Sequence, residues 1–237
     1  MLGAVFGKKN ELKLKTDLHN HLLPNVDDGV RSLEESKAIL EHLERLGYEK
    51  VIITPHIYPE VFPNSEKELT SDFKVFMSQL DTGLDLHLAA EYYSDESLLK
   101  KVKSGKDLLT FGDNHVLIET SFFTKSILLE EVIFQLSAHG YKPVLAHPER
   151  YFFAHDEPEF YRNLKRKDVL FQMNAGSIEG TYGREVKKAA EFLLKNDMID
   201  VLGSDIHRMD QARTLGKALK NKLVNKMDPD RFLNNKL

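Results

Sequence analysis

The stretch Thr16-Asp17-Leu18-His19-Asn20-His21 places two histidines one residue apart where an apolar run ends, and Asp27-Asp28-Gly29 follows shortly after. Side chains alternate faces along an extended chain, so His19 and His21 point the same way with Asp17 behind them. Leu14, Thr16 and Leu18 face the other way. Two neighbouring imidazoles repel when charged and gain little by packing, so a shared cation is their simplest partner. Taken alone, a His-x-His pair is a weak signal. Asp27-Asp28-Gly29 alone reads as an ordinary turn.

The same residue types recur at the carboxyl ends of later apolar runs. KVIITPH ends in His56, LDLHLAAEYY carries Glu91, and HVLIETS carries Glu119. KPVLAHPER carries His147, DVLFQMNAGS carries Asn174, and IDVLGSDIH ends with Asp205 and His207. Each has a bland reading. A lone histidine such as His56 is more often a satisfied core or surface residue, and Glu91 or Glu119 could cap the next helix or pair with a lysine. Those readings must hold separately at every position, whereas one metal pocket explains them together, and a buried carboxylate or imidazole without a partner is costly. Imidazole and carboxylate donors without sulfur suit Zn, Mn or Fe. They are too many for one ion and would serve two or three. His87 and His115 share the face of Glu91 and Glu119 but lie earlier in their runs, and are held in reserve. His42, His139 and His155 read as structural.

The elements that would position these residues are seven candidate strands, the six runs above and KLKTDLH before them, with helical patterns between. Ser32-Leu33-Glu34-Glu35 reads as a capping box, Ile39, Leu43 and Leu46 keep helical spacing, and Gly47 stops that helix. Further helices fit residues 71–80, 127–139, 159–166 and 184–196. Strand–helix alternation with doubly buried runs implies a parallel α/β sheet, closed as a barrel or open and doubly wound. In a parallel barrel all the marked termini meet at one face. No Gly-rich phosphate loop follows the first strand, which lowers the nucleotide-binding alternative.

The bulk numbers set bounds. A chain of 237 residues that is 41% hydrophobic can fill one barrel-sized core. We expect a tail over residues 1–15 and one domain over 16–237. A net charge of −4 argues against a nucleic-acid surface, and with no cysteine, disulfides, thiolate sites and cysteine nucleophiles are excluded. MLGAVFGKKN is too short an apolar run for a signal peptide or membrane span, so a cytoplasmic protein is expected.

At these residues the sequence resembles the polymerase-and-histidinol-phosphatase (PHP) superfamily of metal-dependent phosphoesterases, and within it the bacterial capsular and exopolysaccharide tyrosine-protein phosphatases. The matching pieces are Asp17-Leu18-His19-Asn20-His21, Val26-Asp27-Asp28-Gly29 with Leu33-Glu34-Glu35-Ser36, and Thr54-Pro55-His56. Further on come Ala90-Glu91-Tyr92-Tyr93, Leu117-Ile118-Glu119, Ala146-His147-Pro148-Glu149-Arg150-Tyr151 and Ser204-Asp205-Ile206-His207. The resemblance implies a distorted seven-stranded (β/α) barrel of the TIM-like type. It also implies a trinuclear centre. One ion would be held by His19, His21, Glu91 and Asp205, and a second by Glu91, Glu119 and His147. The third would take His56, His207 and an aspartate of the Asp27-Asp28 pair, with Asp28 preferred. Two to three divalent ions are expected, manganese first, with iron or zinc as alternatives.

The implied activity is hydrolysis of phosphotyrosine by hydroxide generated on those ions. The substrate would be the tail of a bacterial tyrosine kinase controlling polysaccharide export. Arg150 could hold a phosphate oxygen through its guanidinium or form a surface pair with Glu149 or Glu157; Asp205 and His207 are counted with it as catalytic, and Arg208 is a weaker candidate. Aromatic residues near the strand ends, Tyr58, Phe62, Tyr92, Tyr93, Phe122, Phe123, Tyr151, Phe152 and Phe153, could rim the pocket for an aryl phosphate or simply pack over it. A small-molecule phosphomonoesterase such as histidinol-phosphate phosphatase is the alternative. An amidohydrolase-like barrel would carry a bridging lysine where this chain has Glu119, and a silent binding module would show decayed ligands.

Overall fold

The computed structural model describes residues 12–237. Nine strand segments occur among them: β1 (Thr16–Asp17), β2 (Lys50–Ile53), β3 (His56–Ile57), β4 (Asp85–Leu88), β5 (Glu91–Tyr93), β6 (His115–Glu119), β7 (Lys142–Ala146), β8 (Leu170–Asn174) and β9 (Val201–Gly203). Every pairing between them is parallel. They form one sheet in the order β1-β2-β4 and a second in the order β3-β5-β6-β7-β8-β9. The expected seven runs are all extended, but two of them are split. KVIITPH breaks at Thr54-Pro55 and LDLHLAAEYY at Ala89-Ala90. Pro55 has no N–H to donate to the ladder, so regular pairing stops there. The register does not change across the break. Ile53 pairs with Leu88 before it and His56 with Glu91 after it, and Glu91 N–H donates to Pro55 O at 3.1 Å.

Among the described residues six α-helices lie between the strands and a seventh follows β9: α1 (Leu33–Leu46), α2 (Glu66–Ser78), α3 (Glu96–Lys103), α4 (Leu129–Ala138), α5 (Pro158–Lys165), α6 (Arg184–Lys195) and α7 (Met209–Ala218). On α1, Ser32 Oγ accepts from Glu35 N–H, and Gly47 ends the helix in the left-handed region at φ 94°. Only half of the expected capping box forms, because the Glu35 carboxylate accepts from Arg31 N–H instead. The true reciprocal box is at Ser65 and Glu68, which is why α2 begins five residues before the expected start at 71. Two helices have no counterpart among the expected ones, α3, capped by Asp95, and α7, which follows the His207 motif directly.

Residues 12–15, placed in the expected tail, pack on the domain. Leu12 and Leu14 are buried in the core, Lys15 O accepts from Glu49 and Lys50 N–H, and the remainder of that stretch, residues 1–11, lies outside the described residues. The first and last strands run beside each other past their ordered ends. Asp205 N–H donates to His19 O at 2.7 Å and His21 N–H to Ile206 O at 2.9 Å. The buried Asn234 clasps the same pair of strands, accepting from Leu202 N–H and donating to Thr16 O and Leu202 O. Around the His19–His21 segment stand the first residues of β3 (His56) and β5 (Glu91), just past the two breaks, and residues at or just beyond the carboxyl ends of β6 (Glu119), β7 (His147), β8 (Asn174) and β9 (Asp205).

Candidate metal centre

His19 and His21 leave β1 with their outer nitrogens already engaged. His19 Nδ1 is 2.7 Å from Gln172 Oε1 and His21 Nδ1 is 2.8 Å from Asp27 Oδ2. Such partners fix ring orientation and turn both Nε2 atoms inward. There His19 Nε2 lies 3.1 Å from Glu91 Oε2 and 3.5 Å from Asp205 Oδ1. His21 Nε2 lies 3.5 Å from each of the same oxygens and 3.3 Å from His19 Nε2. Tetrahedral nitrogen and oxygen donors about 2.1 Å from an ion stand about 3.4 Å from one another. The five separations fit that spacing.

The neighbouring donors show the same convergence. His56 Nδ1 is 3.3 Å from Glu91 Oε2 and 3.2 Å from Glu119 Oε1, and His147 Nε2 is 3.1 Å from Glu91 Oε1. Yet His56 Nδ1 and Glu91 Oε1, both buried, form no hydrogen bond among the described residues. Atoms this close and this misaligned aim past one another toward common points. Three groups of donors have all their ligand atoms within 4.8 Å: His19, His21 and Glu91; His56, Glu91 and Glu119; His21, Asp28, His56 and His207. Asp28 Oδ1 lies 3.5 Å from His56 Nε2 and 3.3 Å from His207 Nε2. Hard oxygen and imidazole donors at these spacings fit divalent ions.

Charge follows geometry. Burial opposes the charged form of His19, but Glu91 and Asp205 beside it raise its pKa to about 9. Burial would lift the Glu91 and Asp205 carboxyls too, yet the imidazoles facing them, His19 foremost, hold both well below the usual range. Two of the converging positions sit in left-handed backbone without being glycine, His147 at φ 34° and Asp205 at φ 52°. Such conformations cost energy and persist where the surroundings enforce them.

The adjacent aspartates separate. Asp27 Oδ2 accepts from His21 and from His56 N–H, and its Oδ1 accepts from Gly29 N–H, so it holds the turn and the imidazole. Asp28 is half-exposed and faces His56 and His207. The reserve histidines are elsewhere: His87 is exposed against Asp85, and His115 stacks on Phe111 at the start of β6.

Arg150 leaves the surface pairing with Glu149 or Glu157 unused. Its Nη1 donates to Asp205 Oδ2 at 3.0 Å, and Glu149 is buried, accepting from Asn174 N–H and Ser177 Oγ. Asp205 Oδ2 also accepts from Asn174 Nδ2, so one oxygen is braced while the other faces the imidazoles. Sequence reasoning passed over Gln172 and Tyr182, and placed Asn174 at its strand end without giving it work. Gln172 and Asn174 stand two apart on a buried strand, and polar side chains at that spacing were the available signal.

These groups floor a cavity of about 690 Å³, walled by Tyr58, Phe62, Tyr93, Phe122, Phe123 and Tyr182. Part of the expected aromatic rim belongs to the core. Tyr92 and Tyr151 are buried, and Phe153 stacks on Tyr151. Phe152 stacks on the exposed Phe123 at the cavity's lip.

Comparison with known proteins identifies relatives over most of the chain. CpsB of Streptococcus pneumoniae, a tyrosine-protein phosphatase, is 29% identical over 203 residues, 82% of this chain and 83% of that one. YwqE of Bacillus subtilis, also a tyrosine-protein phosphatase, is 28% identical over 200 residues, covering 81% and 77%. A solved structure from the work on YwqE and CpsB, described as unique metal-dependent tyrosine phosphatases, superposes with a TM-score of 0.79 at 25% identity over 89% of this chain and 88% of that one. An amidohydrolase of Mycoplasma synoviae, at 12% identity and a TM-score of 0.51, shares the fold alone. The family described as capsular polysaccharide synthesis, CpsB/CapC, matches residues 15–232. The chain belongs to the CpsB/CapC family.

Proposed function

We propose that this protein is a metal-dependent protein-tyrosine phosphatase that removes phosphate from tyrosine in the control of capsular or exopolysaccharide synthesis. The observation that carries the reading is the convergence of His19, His21, Glu91 and Asp205 at the spacing of a coordination polyhedron. The assignment proposed is that of the sequence: His19, His21, Glu91 and Asp205 hold one ion, Glu91, Glu119 and His147 a second, and Asp28, His56 and His207 a third. Asp28 is preferred to Asp27 because the Asp27 oxygens are already occupied. Asp205 and His207 enter the reaction as ligands. Manganese is the proposed ion, and the proposed frame is one distorted barrel whose β1 and β9 ends meet through Asn20 and Ile206.

When bound, the ions supply positive charge to the phosphoryl oxygens and acidify a water so that it can attack phosphorus at neutral pH. The chain's own groups do the rest. Arg150 presents N–H donors to the phosphate, and Tyr58, Tyr93, Phe122 and Phe123 supply apolar walls for an aryl group. A phenol leaves with a pKa of about 10 and needs little help from a proton donor. The proposed partner is the tail of a bacterial tyrosine kinase, met in the cytoplasm. Among the described residues no helix is long and apolar enough to cross a membrane.

The test is the rate on a phosphotyrosyl peptide against the rate on histidinol phosphate, with Mn²⁺ added and with a chelator. Peptide cleavage that needs the ion and outpaces histidinol phosphate supports the reading; the reverse preference makes the enzyme a small-molecule phosphatase.

A further inference from the structure

Two aromatic rings lie against the guanidinium of Arg150. The Phe122 ring centroid lies 4.4 Å from its central carbon and the Tyr182 centroid 4.5 Å. One edge is tied to Asp205 Oδ2 through Nη1 at 3.0 Å. The side chain is 23% exposed and lines the cavity. Among the described residues no second protein acceptor takes its remaining N–H groups. Two rings and one carboxylate oxygen thus hold the group, and its remaining N–H groups are left for a ligand.

Tyr182 reaches this position from a short loop between Gly180 and Gly183, both in the left-handed region at φ 83° and 97°. Its hydroxyl stands 3.4 Å from Asn174 Nδ2 and 3.5 Å from Asp205 Oδ2, too far for strong hydrogen bonds. The ring, not the hydroxyl, makes the contact that matters.

We propose that Tyr182 is a positioning residue for phosphate: with Phe122 it clamps the Arg150 guanidinium so that its open edge meets two oxygens of the phosphoryl group at once. This rests on the phosphatase reading above. A bidentate arginine–phosphate contact needs the guanidinium plane fixed before the ligand arrives, and stacking between two rings fixes a plane while leaving the edges free. The clamp acts on phosphate binding and not on ion uptake, because the Asp205 oxygen that faces the imidazoles is Oδ1, not the one Arg150 holds.

The experiment uses the Mn²⁺-loaded full chain as wild type, Tyr182→Phe and Tyr182→Ala. Inorganic phosphate is titrated calorimetrically, p-nitrophenyl phosphate is the substrate, and bound manganese is measured for each protein. Tyr182→Ala should weaken phosphate binding and raise KM about five- to tenfold, with kcat changed less than about twofold and manganese unchanged. Tyr182→Phe should restore phosphate affinity. In an Arg150→Ala background, Tyr182→Ala should have no further effect, since coupled residues are not additive. The clamp is overturned by undiminished phosphate binding in Tyr182→Ala, by manganese loss in that variant, or by additive effects with Arg150→Ala. A wild type that binds phosphate without cleaving the ester removes the phosphatase reading, and the same titrations still decide the clamp.

Discussion

Asp27 Oδ2 lies 2.8 Å from His21 Nδ1, while its sequence neighbour Asp28 turns the other way to face His56 and His207. Adjacent carboxylates in one turn therefore support the site from opposite sides. One holds an imidazole from behind, and the other stands among the inward-facing donors.

That division makes the two alanine variants differ in kind. Asp28→Ala should lose about one equivalent of metal and keep its folded stability, because Asp28 is half-exposed and braces no backbone. Asp27→Ala should keep the number of ions but bind them about 10- to 100-fold more weakly, as removal of an outer partner does elsewhere. It should also destabilise by about 1–3 kcal/mol, since Gly29 and His56 N–H lose their acceptor. Elemental analysis and thermal melts of both variants check this, and identical losses in the two would refute the division.

Chelation should lower the melting temperature. Ligands that bind only the folded state stabilise it by about 2.7 kcal/mol at a hundredfold excess over Kd, which for a chain of this size corresponds to about 5–10 °C. Scanning calorimetry with EDTA and then with excess Mn²⁺ reads it, and a melt indifferent to both would remove the ions from the site.

The chelated protein should also acquire a pH dependence that the loaded one lacks. His19 is raised from 6.5 to about 9, burial opposing and Glu91 and Asp205 prevailing. A group bound more tightly to its proton in the folded state stabilises fully below its unfolded pKa and loses that contribution as pH rises through the folded value. Stability of the chelated form should fall between about pH 6.5 and 9. Urea melts across that window check the slope, and a rising slope would reverse the sign of the argument.

Which parts of the site were legible in advance follows from what a strand end can and cannot reveal. His19, His56, Glu91, Glu119, His147 and Asp205 announced themselves because each is a polar residue closing an apolar run. Gln172 offered only its two-residue spacing from Asn174 on a buried strand, and Tyr182 not even that, because its contact with Arg150 joins a loop to a distant element and leaves no local pattern. The breaks at Thr54-Pro55 and Ala89-Ala90 were half visible. Pro55 declared its own, but the facing break in the alanine pair exists only because the two segments are partners. The α7 helix and the Asn234 clasp depend on packing after His207, where no chemical motif drew attention.

Asn234 provides the last test, in a segment that carries none of the site residues. Its side chain makes three buried hydrogen bonds, to Leu202 N–H, Leu202 O and Thr16 O, and so ties β1 to β9. These two strands lead directly into His19 and Asp205, which are themselves joined by backbone bonds past the strand ends, so the clasp adds stability to the junction. Asn234→Ala leaves those backbone groups without partners in a buried place. The expected cost is about 2–4 kcal/mol, at about 1–3 kcal/mol for each group left unsatisfied and with partial relief by relaxation. Asn234→Asp keeps the acceptor for Leu202 N–H, loses the two donated bonds and adds a buried charge, so it should fare no better. Both variants should melt lower than wild type while keeping metal stoichiometry at temperatures where they remain folded. Full stability in Asn234→Ala would show that the β1–β9 junction is held by its backbone bonds alone.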